Sequence, residues 1–125
     1  MAAQGGRRKQ QRLDRLLELA ATLPEIEISG EQHRAFRIRR KSFAYYLDDH
    51  HGDGIVALCC KATFDEQSLF VETDPENYFT PAYVGAKGWV AIRLDRPRVR
   101  WGQVTELFFN AYRAQAPRRL ADRVG

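Results

Sequence analysis

The sequence predicts a single α+β domain in which helices pack on one face of an antiparallel β-sheet. Amphipathic helical patterns lie near both ends of the chain, and a shorter helical pattern lies in the middle. Between them, alternating or continuous apolar stretches predict strands that mostly follow one another along the chain. The chain has 125 residues, 44% of them hydrophobic and 29% charged, which suits one globular domain with one core.

The N-terminal third predicts a basic arm followed by a helix. Residues 1–8 are expected to form a flexible arm, and residues 9–125 the domain. Leucine and alanine recur at helical spacing between residues 13 and 20, and Leu23 with Pro24 ends the helix. Residues 25–32 predict a polar connection with a turn at Ser29 and Gly30.

A hairpin and a central strand are predicted next. Residues 33–40 alternate, with Phe36 and Ile38 pointing inward and Arg37 and Arg39 sharing the outward face. A turn is expected at Arg40 and Lys41, which would extend the row of cations to the hairpin tip. The inward set of the second strand is predicted to be Phe43, Tyr45 and Leu47. Residues 55–61 are continuously apolar up to Lys61, which predicts a central strand covered on both faces.

The second half predicts a capped helix, a last strand and a last helix. Thr63 and Glu66 have capping-box spacing, and the helix to about residue 72 is expected to bury Phe64, Leu69 and Phe70 or their neighbours. In the strand after Trp89, Val90 and Ile92 are predicted to face inward, and Ala91 and Arg93 outward. Residues 101–114 predict a helix with an apolar face. That face is formed by Val104, Leu107, Phe108, Ala111 and Tyr112.

The segment from residue 78 to residue 95 combines aromatic residues, glycines and a proline before this strand. One interpretation is a structural corner, in which Tyr83 and Trp89 fill the core and Gly85 and Gly88 let the chain turn. The other interpretation is a binding edge with Lys87 at its tip. In that case Pro81, Tyr83 and Trp89 are the candidates for lining a ligand pocket.

Composition and charge exclude several classes of protein. No apolar run approaches the roughly 18 residues of a transmembrane helix, and no apolar stretch follows the basic N-terminus as it does in a secretory signal. A cytoplasmic location is therefore expected. Cys59 and Cys60 are adjacent and apolar in context, so reduced, packed thiols are expected.

No catalytic or metal-binding constellation is apparent, so neither catalytic residues nor a cofactor are predicted. His50 and His51 lie among aspartates, but their spacing matches no standard metal-ligand motif, and a solvated turn is expected there. The glycines around Lys87 match neither a P-loop nor a dinucleotide-binding fingerprint.

Basic residues offer the stronger functional signal. The net charge is +4, and basic and acidic side chains occupy separate stretches of the chain. Such segregation suits a basic face that binds a polyanion, or basic segments that pair with acidic ones within the protein. Six residues of the hairpin, the glycine loop and the last strand are candidates for contacting nucleic-acid phosphates: Arg37, Arg39, Arg40, Lys41, Lys87 and Arg93.

The hairpin and the aromatic–glycine segment resemble the MmcQ/YjbR family of small bacterial proteins. The similar motifs are Ala-Phe-Arg-Ile at residues 35–38, Lys-Ser-Phe-Ala at residues 41–44, and the Pro-x-Tyr-x-Gly-x-x-Gly-Trp-Val block at residues 81–90. The resemblance covers about residues 12–120. It implies a CyaY-like (frataxin-like) fold, a "double wing" mode of DNA binding and no catalytic residues.

Two functional hypotheses follow from these observations. The first is a non-enzymatic DNA-binding protein, expected to be a monomer, that uses the six basic residues. The second is a small-ligand or protein-binding domain with an aromatic pocket at Tyr83 and Trp89. A weaker third idea, iron binding, comes from the frataxin-like fold, but the first helix carries only Asp14 and Glu18 as acidic residues.

Overall fold

The structure, a computed structural model, describes residues 2–49 and 52–124. It contains one six-stranded antiparallel sheet with the α-helices packed on one of its faces. The α-helices are α1 (Ala2–Ala21), α2 (Phe64–Thr73), α3 (Trp101–Gln115) and α4 (Arg118–Ala121). The strands are β1 (Glu27–Gly30), β2 (Arg34–Ile38), β3 (Lys41–Asp48), β4 (Val56–Cys60), β5 (Tyr78–Phe79) and β6 (Val90–Arg93). A 3₁₀-helix spans Val84–Lys87. The α+β class predicted from the sequence is confirmed.

The main core lies between the sheet and its helices. The strand order is β1-β2-β3-β4-β6-β5, and each described pair is antiparallel. Aromatic rings of the hairpin and α3 meet at its centre, where Phe36 packs edge-on against Phe108 with 5.0 Å between ring centroids. The predicted apolar face of α3 is buried throughout. None of the helices in the described ranges is long and apolar enough to cross a bilayer.

The structure adds two strands that the sequence patterns did not indicate. Strand β1 occupies part of the expected polar connection, and all four of its residues are exposed. It pairs with β2 as an edge strand, so backbone hydrogen bonds hold it rather than apolar burial. Strand β5 has only two residues, too few for a periodicity. Helix α1 starts at Ala2 rather than near Lys9, so the helix includes residues that were expected to belong to the arm. The flexibility of the arm stays a prediction.

A β-bulge makes the prediction for the second hairpin strand partly wrong. The register between β2 and β3 shifts between Phe36 and Arg37, which lie opposite Ala44 and Ser42, so Phe43 is the extra residue. Phe43 is buried as expected, but the bulge reverses the alternation after it. Tyr46 therefore enters the main core, whereas Tyr45 and Leu47 point to the opposite face of the sheet.

A second, smaller apolar cluster lies on this helix-free face. It contains Ala57, Cys59, Trp89 and Ala91, with Tyr45 and Leu47 packed against it. In β6, Val90 and Ile92 face the main core, as predicted. Ala91 faces the other way, but it is fully buried because the second cluster covers it, so the expectation that it is exposed is wrong. Burial on both faces also confirms the prediction for β4.

Helix α2 is capped as predicted but is barely buried. The Thr63 hydroxyl accepts from the Glu66 N–H at 3.1 Å, and the Glu66 carboxylate accepts from the Thr63 N–H at 3.0 Å. Phe70 stacks on Tyr78, but Phe64 and Leu69 are 57% and 59% exposed, contrary to the prediction. The reason is that α2 packs against the short strands β5 and β6, which cover only a narrow part of the helix surface.

Candidate nucleic-acid interface

The turn of the β2–β3 hairpin consists of Arg39 and Arg40. Strand β2 ends at Ile38 and β3 begins at Lys41, and these two residues pair across the strands. Both turn residues have positive φ, 52° for Arg39 and 69° for Arg40. Two-residue hairpins favour positive φ because such turns match the twist of the strands, but the usual residues are asparagine, aspartate and glycine. Two arginines here place two cations at the tip at a conformational cost.

Arg39 lies in this turn and binds a carboxylate, so its predicted place on a strand face is wrong. Its Nε donates to Glu25 Oε1 at 2.9 Å and its Nη2 donates to Glu25 Oε2 at 3.2 Å. Glu25, which follows α1, also has positive φ, 57°. The bidentate pair ties the hairpin tip to the segment that leads into β1. It also partly neutralises Arg39.

Arg37 and Lys41 project from opposite faces of the sheet rather than forming one row. Arg37 lies opposite Ser42 on the helix-free face, and its Nε donates to the Ser42 hydroxyl at 3.2 Å. Lys41 lies opposite the buried Ile38, and directly paired residues share a face, so Lys41 starts from the helix side. With Arg40 at the tip between them, these cations surround the end of the hairpin.

Lys87 lies at the same end of the sheet as the hairpin tip. It ends the 3₁₀-helix, and Gly88 follows with φ of 91°. Cys60, the last residue of β4, pairs with Val90, the first residue of β6, so the loop that carries Lys87 meets the sheet at the end where β3 begins. Two strand spacings separate β3 from β6, which corresponds to about 10 Å.

The loop that carries Lys87 is held firmly against α2. A Cβ on Gly88 would come within 2.9 Å of the Phe64 backbone nitrogen, so a side chain there would push the loop away from α2. From α2, Gln67 Nε2 donates to the carbonyls of Gly85 at 2.9 Å and Trp89 at 2.6 Å. Sequence reasoning missed Gln67, because its role depends on a contact between residues 18 and 22 positions apart.

Arg93 lies away from both tips and is already paired. Its guanidinium donates two hydrogen bonds of 2.9 Å to Asp95, and this hydrogen bonding raises the pKa of Arg93. Burial would raise the pKa of Asp95, but hydrogen bonds from Arg93 and the Val56 N–H outweigh it, so the pKa lies below its usual value. Arg93 is therefore a poorer candidate for phosphate contact than its position on an outward face indicated.

Four of the six candidate cations have no carboxylate partner in the part of the chain that the structure describes. Within residues 2–49 and 52–124, no ion pair involves any of the following: Arg37, Arg40, Lys41 and Lys87. All four are exposed and lie at one end of the sheet. Their arrangement is that of a charged edge with two projecting tips, the hairpin and the glycine loop.

Trp89 and Tyr83 have different environments, so each interpretation of the aromatic segment applies to one of them. Trp89 is 7% exposed and stacks on Tyr45 with 5.7 Å between ring centroids. For Trp89, the interpretation as a structural corner therefore applies. Tyr83 is 78% exposed, so its ring does not fill the core. Pro81 is buried and lines a small cavity of about 40 Å³ rather than the larger groove beside Tyr83.

A groove of about 330 Å³ lies beside Tyr83 on the helix-free face. Its lining residues are His33, Tyr45, Leu47, Cys59, Ala82, Tyr83 and Val84. A pocket at Tyr83 is predicted from the sequence, but Tyr45 and Leu47, which line the groove, are expected in the core instead. The signal was hidden because the bulge at Phe43 leaves no trace in the apolar pattern.

The thiols and the histidine loop offer no reactive or metal-binding group among the described residues. Cys59 and Cys60 are free and buried, as expected. Burial raises the pKa of Cys59 to about 12 and that of Cys60 well above its usual value. Residues 2–49 and 52–124 contain no group of three potential metal-ligating His, Cys, Asp or Glu side chains. His50 and His51 lie outside the described residues.

Comparisons with known proteins agree with this architecture. No curated protein matches the chain. The crystal structure of the Deinococcus radiodurans protein DR2400, which has a DUF419 domain, is similar to it with a TM-score of 0.65 at 20% sequence identity. That similarity covers 82% of this chain and 76% of the other, and it supports the fold. The YjbR family model matches residues 17–114, which include the hairpin and the whole aromatic–glycine segment, and the chain therefore belongs to the YjbR family.

Proposed function

We propose that the protein binds DNA without catalysis, through phosphate contacts made by the hairpin tip and the Lys87 loop. The observation that carries the proposal is the set of four exposed cations, without carboxylate partners among the described residues, at one end of the sheet. Arg37, Arg40 and Lys41 belong to the hairpin, and Lys87 to the neighbouring loop. Arg39 and Arg93 have carboxylate partners, so we assign them supporting roles at most.

The physical basis is the release of counterions from the polyanion. Each phosphate neutralised by a lysine or arginine frees condensed cations, which favours binding at low salt and weakens it as salt rises. A cation already paired with a carboxylate releases fewer counterions, because its own charge is partly compensated. The backbone of the tips is well fixed, by hairpin pairing on one side and by Gln67 on the other, so few degrees of freedom are lost on binding.

The test is fluorescence anisotropy with a labelled DNA oligonucleotide at several salt concentrations between about 50 and 200 mM. Arg37→Ala and Lys87→Ala are each expected to weaken binding to all sequences alike and to reduce the slope of log affinity against log salt by about 1. Arg39→Ala should change the slope less because of its pairing with Glu25. Arg98→Ala is a matched control, since Arg98 is exposed but follows the opposite end of β6.

Two results would contradict the proposal. The first is an absence of binding to any DNA at low salt. The second is binding whose salt slope is the same in wild type, Arg37→Ala and Lys87→Ala. Loss confined to one base position would instead mean that an arginine reads a base edge in the major groove.

The groove beside Tyr83 favours a second candidate function, a small-ligand or protein-binding domain. An apolar groove next to a highly exposed tyrosine is a feature of ligand sites. Affinity for an uncharged ligand should depend little on salt, which separates this function from phosphate binding. The buried Trp89 would then support the groove from beneath through its stacking on Tyr45.

A further inference from the structure

We infer that the groove on the helix-free face takes one flat aromatic ring, an unpaired base of a single-stranded nucleic acid. The inference rests on the proposed DNA-binding function and specifies the form of the ligand. Its evidence comes from the shape and lining of the groove, from the backbone of Tyr83 and from the position of Arg37.

The lining of the groove suits a neutral aromatic ring. Tyr45 and Tyr83 supply aromatic surface, and Leu47, Val84 and Cys59 supply apolar surface. Among the described residues that line the groove, none is an aspartate, glutamate, lysine or arginine, so an ionised ring would lose solvation without gaining an oppositely charged partner from these side chains. About 330 Å³ is near the lower limit for ligand pockets and suits a single ring system.

Tyr45 is a fixed platform in this groove. Its ring stacks on Trp89 with an angle of 25° between the planes, and Trp89 is itself buried against the sheet. Because this stacking already fixes the side-chain rotamer of Tyr45, little conformational entropy is lost when a base packs beside its ring. Base–aromatic stacking is the common way in which proteins hold single strands without sequence preference.

Tyr83 is held in a rare backbone conformation beside the groove. Its φ of 64° and ψ of −71° define a γ-turn of the strained form, in which the Val84 N–H donates to the Ala82 carbonyl at 2.7 Å. Tyr83 is 78% exposed. Strain maintained by the surrounding structure is concentrated at binding and active sites, and here it holds an aromatic side chain at the groove.

A cation for the phosphate lies along the same face. Ala35 lies directly opposite Tyr45, and Arg37 is the next residue of β2 on that face. The distance between successive residues on one face of a strand is about 6.5–7 Å. A base beside Tyr45 would therefore have its own or the neighbouring phosphate within reach of Arg37. A paired base is stacked on both sides within the duplex, so only an unpaired base can enter.

The experiment compares three labelled probes by fluorescence anisotropy: a single-stranded 12-nucleotide DNA, the same strand in a duplex, and a single strand of equal length whose central residues are abasic. The abasic strand keeps all phosphates and loses the bases, so it isolates stacking. The intact single strand is expected to bind roughly 5- to 150-fold more tightly than the abasic strand, which is the range for stacking of one base.

Three variants locate the effect in the groove. Tyr83→Ala should reduce single-strand affinity by a similar factor with an unchanged salt slope, because the ring carries no charge. Tyr83→Phe should keep most of the affinity, since it keeps the ring. Leu69→Ala is the control, because Leu69 is also a large, mostly exposed apolar residue but lies on α2, outside the groove. It should bind as wild type does.

The inference is overturned if intact and abasic strands bind equally, if Tyr83→Ala binds as tightly as wild type, or if Leu69→Ala loses as much affinity as Tyr83→Ala. In each of these cases binding that still depends on Arg37 and Lys87 leaves the proposed phosphate contacts in place. Absence of binding to every strand at low salt overturns the proposed function itself. Binding of free adenosine with the same Tyr83 dependence, together with no strand binding, would assign the groove to a free small molecule and also overturn the inference.

Discussion

Replacing Arg40 with glycine is expected to stabilise the protein while weakening its binding to DNA. Arg40 has φ of 69° in the hairpin turn, and a left-handed backbone costs a non-glycine residue about 1–2 kcal/mol. Glycine removes this cost. However, the greater conformational freedom of glycine in the unfolded chain lowers the folding stability by about 0.5–1 kcal/mol. Arg40 is exposed and has no carboxylate partner among the described residues, so its side chain adds little to stability.

The net expectation for Arg40→Gly is a gain of about 0.5–1 kcal/mol, or about 2–5 °C in melting temperature for a domain of this size. Thermal and urea denaturation followed by circular dichroism measure it. Arg40→Ala is the matched control, because it removes the same charge but keeps the left-handed strain, and it should melt close to wild type. Arg39→Gly should gain less than Arg40→Gly, because it also loses the bidentate pair with Glu25.

Binding should change in the same way for both Arg40 variants. Each loses one phosphate contact, so each should show a salt slope reduced by about 1. The reasoning is refuted if Arg40→Gly is less stable than Arg40→Ala, because strain would then not be present at this turn. It is also refuted if Arg40→Gly binds DNA as tightly as wild type, because the strained cation would then have no role in binding.

Three further predictions concern the core, the thiols and the ion pair near β6. Trp89→Ala should destabilise the protein by about 3–5 kcal/mol in urea denaturation, because a large buried ring is lost; a loss below about 1 kcal/mol would contradict its burial. Native Cys59, with a pKa of about 12, should not react with a thiol reagent at pH 8 until the protein unfolds, and rapid native labelling would contradict this. Asp95→Asn should lower stability at pH 7. Because the pKa of Asp95 is lowered in the folded state, the stabilisation by its carboxylate is lost as pH falls below about 4. The difference in unfolding free energy between wild type and Asp95→Asn should therefore narrow at low pH, and a difference that is constant from about pH 7 to about pH 3 would contradict the assignment.

Local patterns were sufficient for those elements whose burial is regular. Helix α3 and strand β4 were predicted well, since a helical stripe and a continuous apolar run report directly on burial. The Thr63 and Glu66 capping box was also predicted, because a cap is formed by residues within one turn. Strand β1 was missed because its residues are exposed and its stability comes from pairing with β2.

The candidate site was predicted only as a set of residue types. Basic residues near a hairpin and a glycine loop indicated two tips, but the sequence did not show which cations were already paired. Glu25 lies 14 residues from Arg39, and only the folded chain brings them together. The pairing of Arg93 with Asp95 spans two residues, yet it was missed because it depends on how the chain leaves β6.

By itself the sequence determined the α+β class, the family motifs, the capped and amphipathic helices and the presence of a basic hairpin, because these follow from short-range spacing and composition. The tertiary structure alone decided the face on which each aromatic ring lies. One extra residue at Phe43 sends Tyr45 to the helix-free face, where Trp89 stacks on it and Tyr83 completes a groove. The physical reason is that a bulge is set by hydrogen bonding between two strands, and side-chain alternation along one strand carries no record of it.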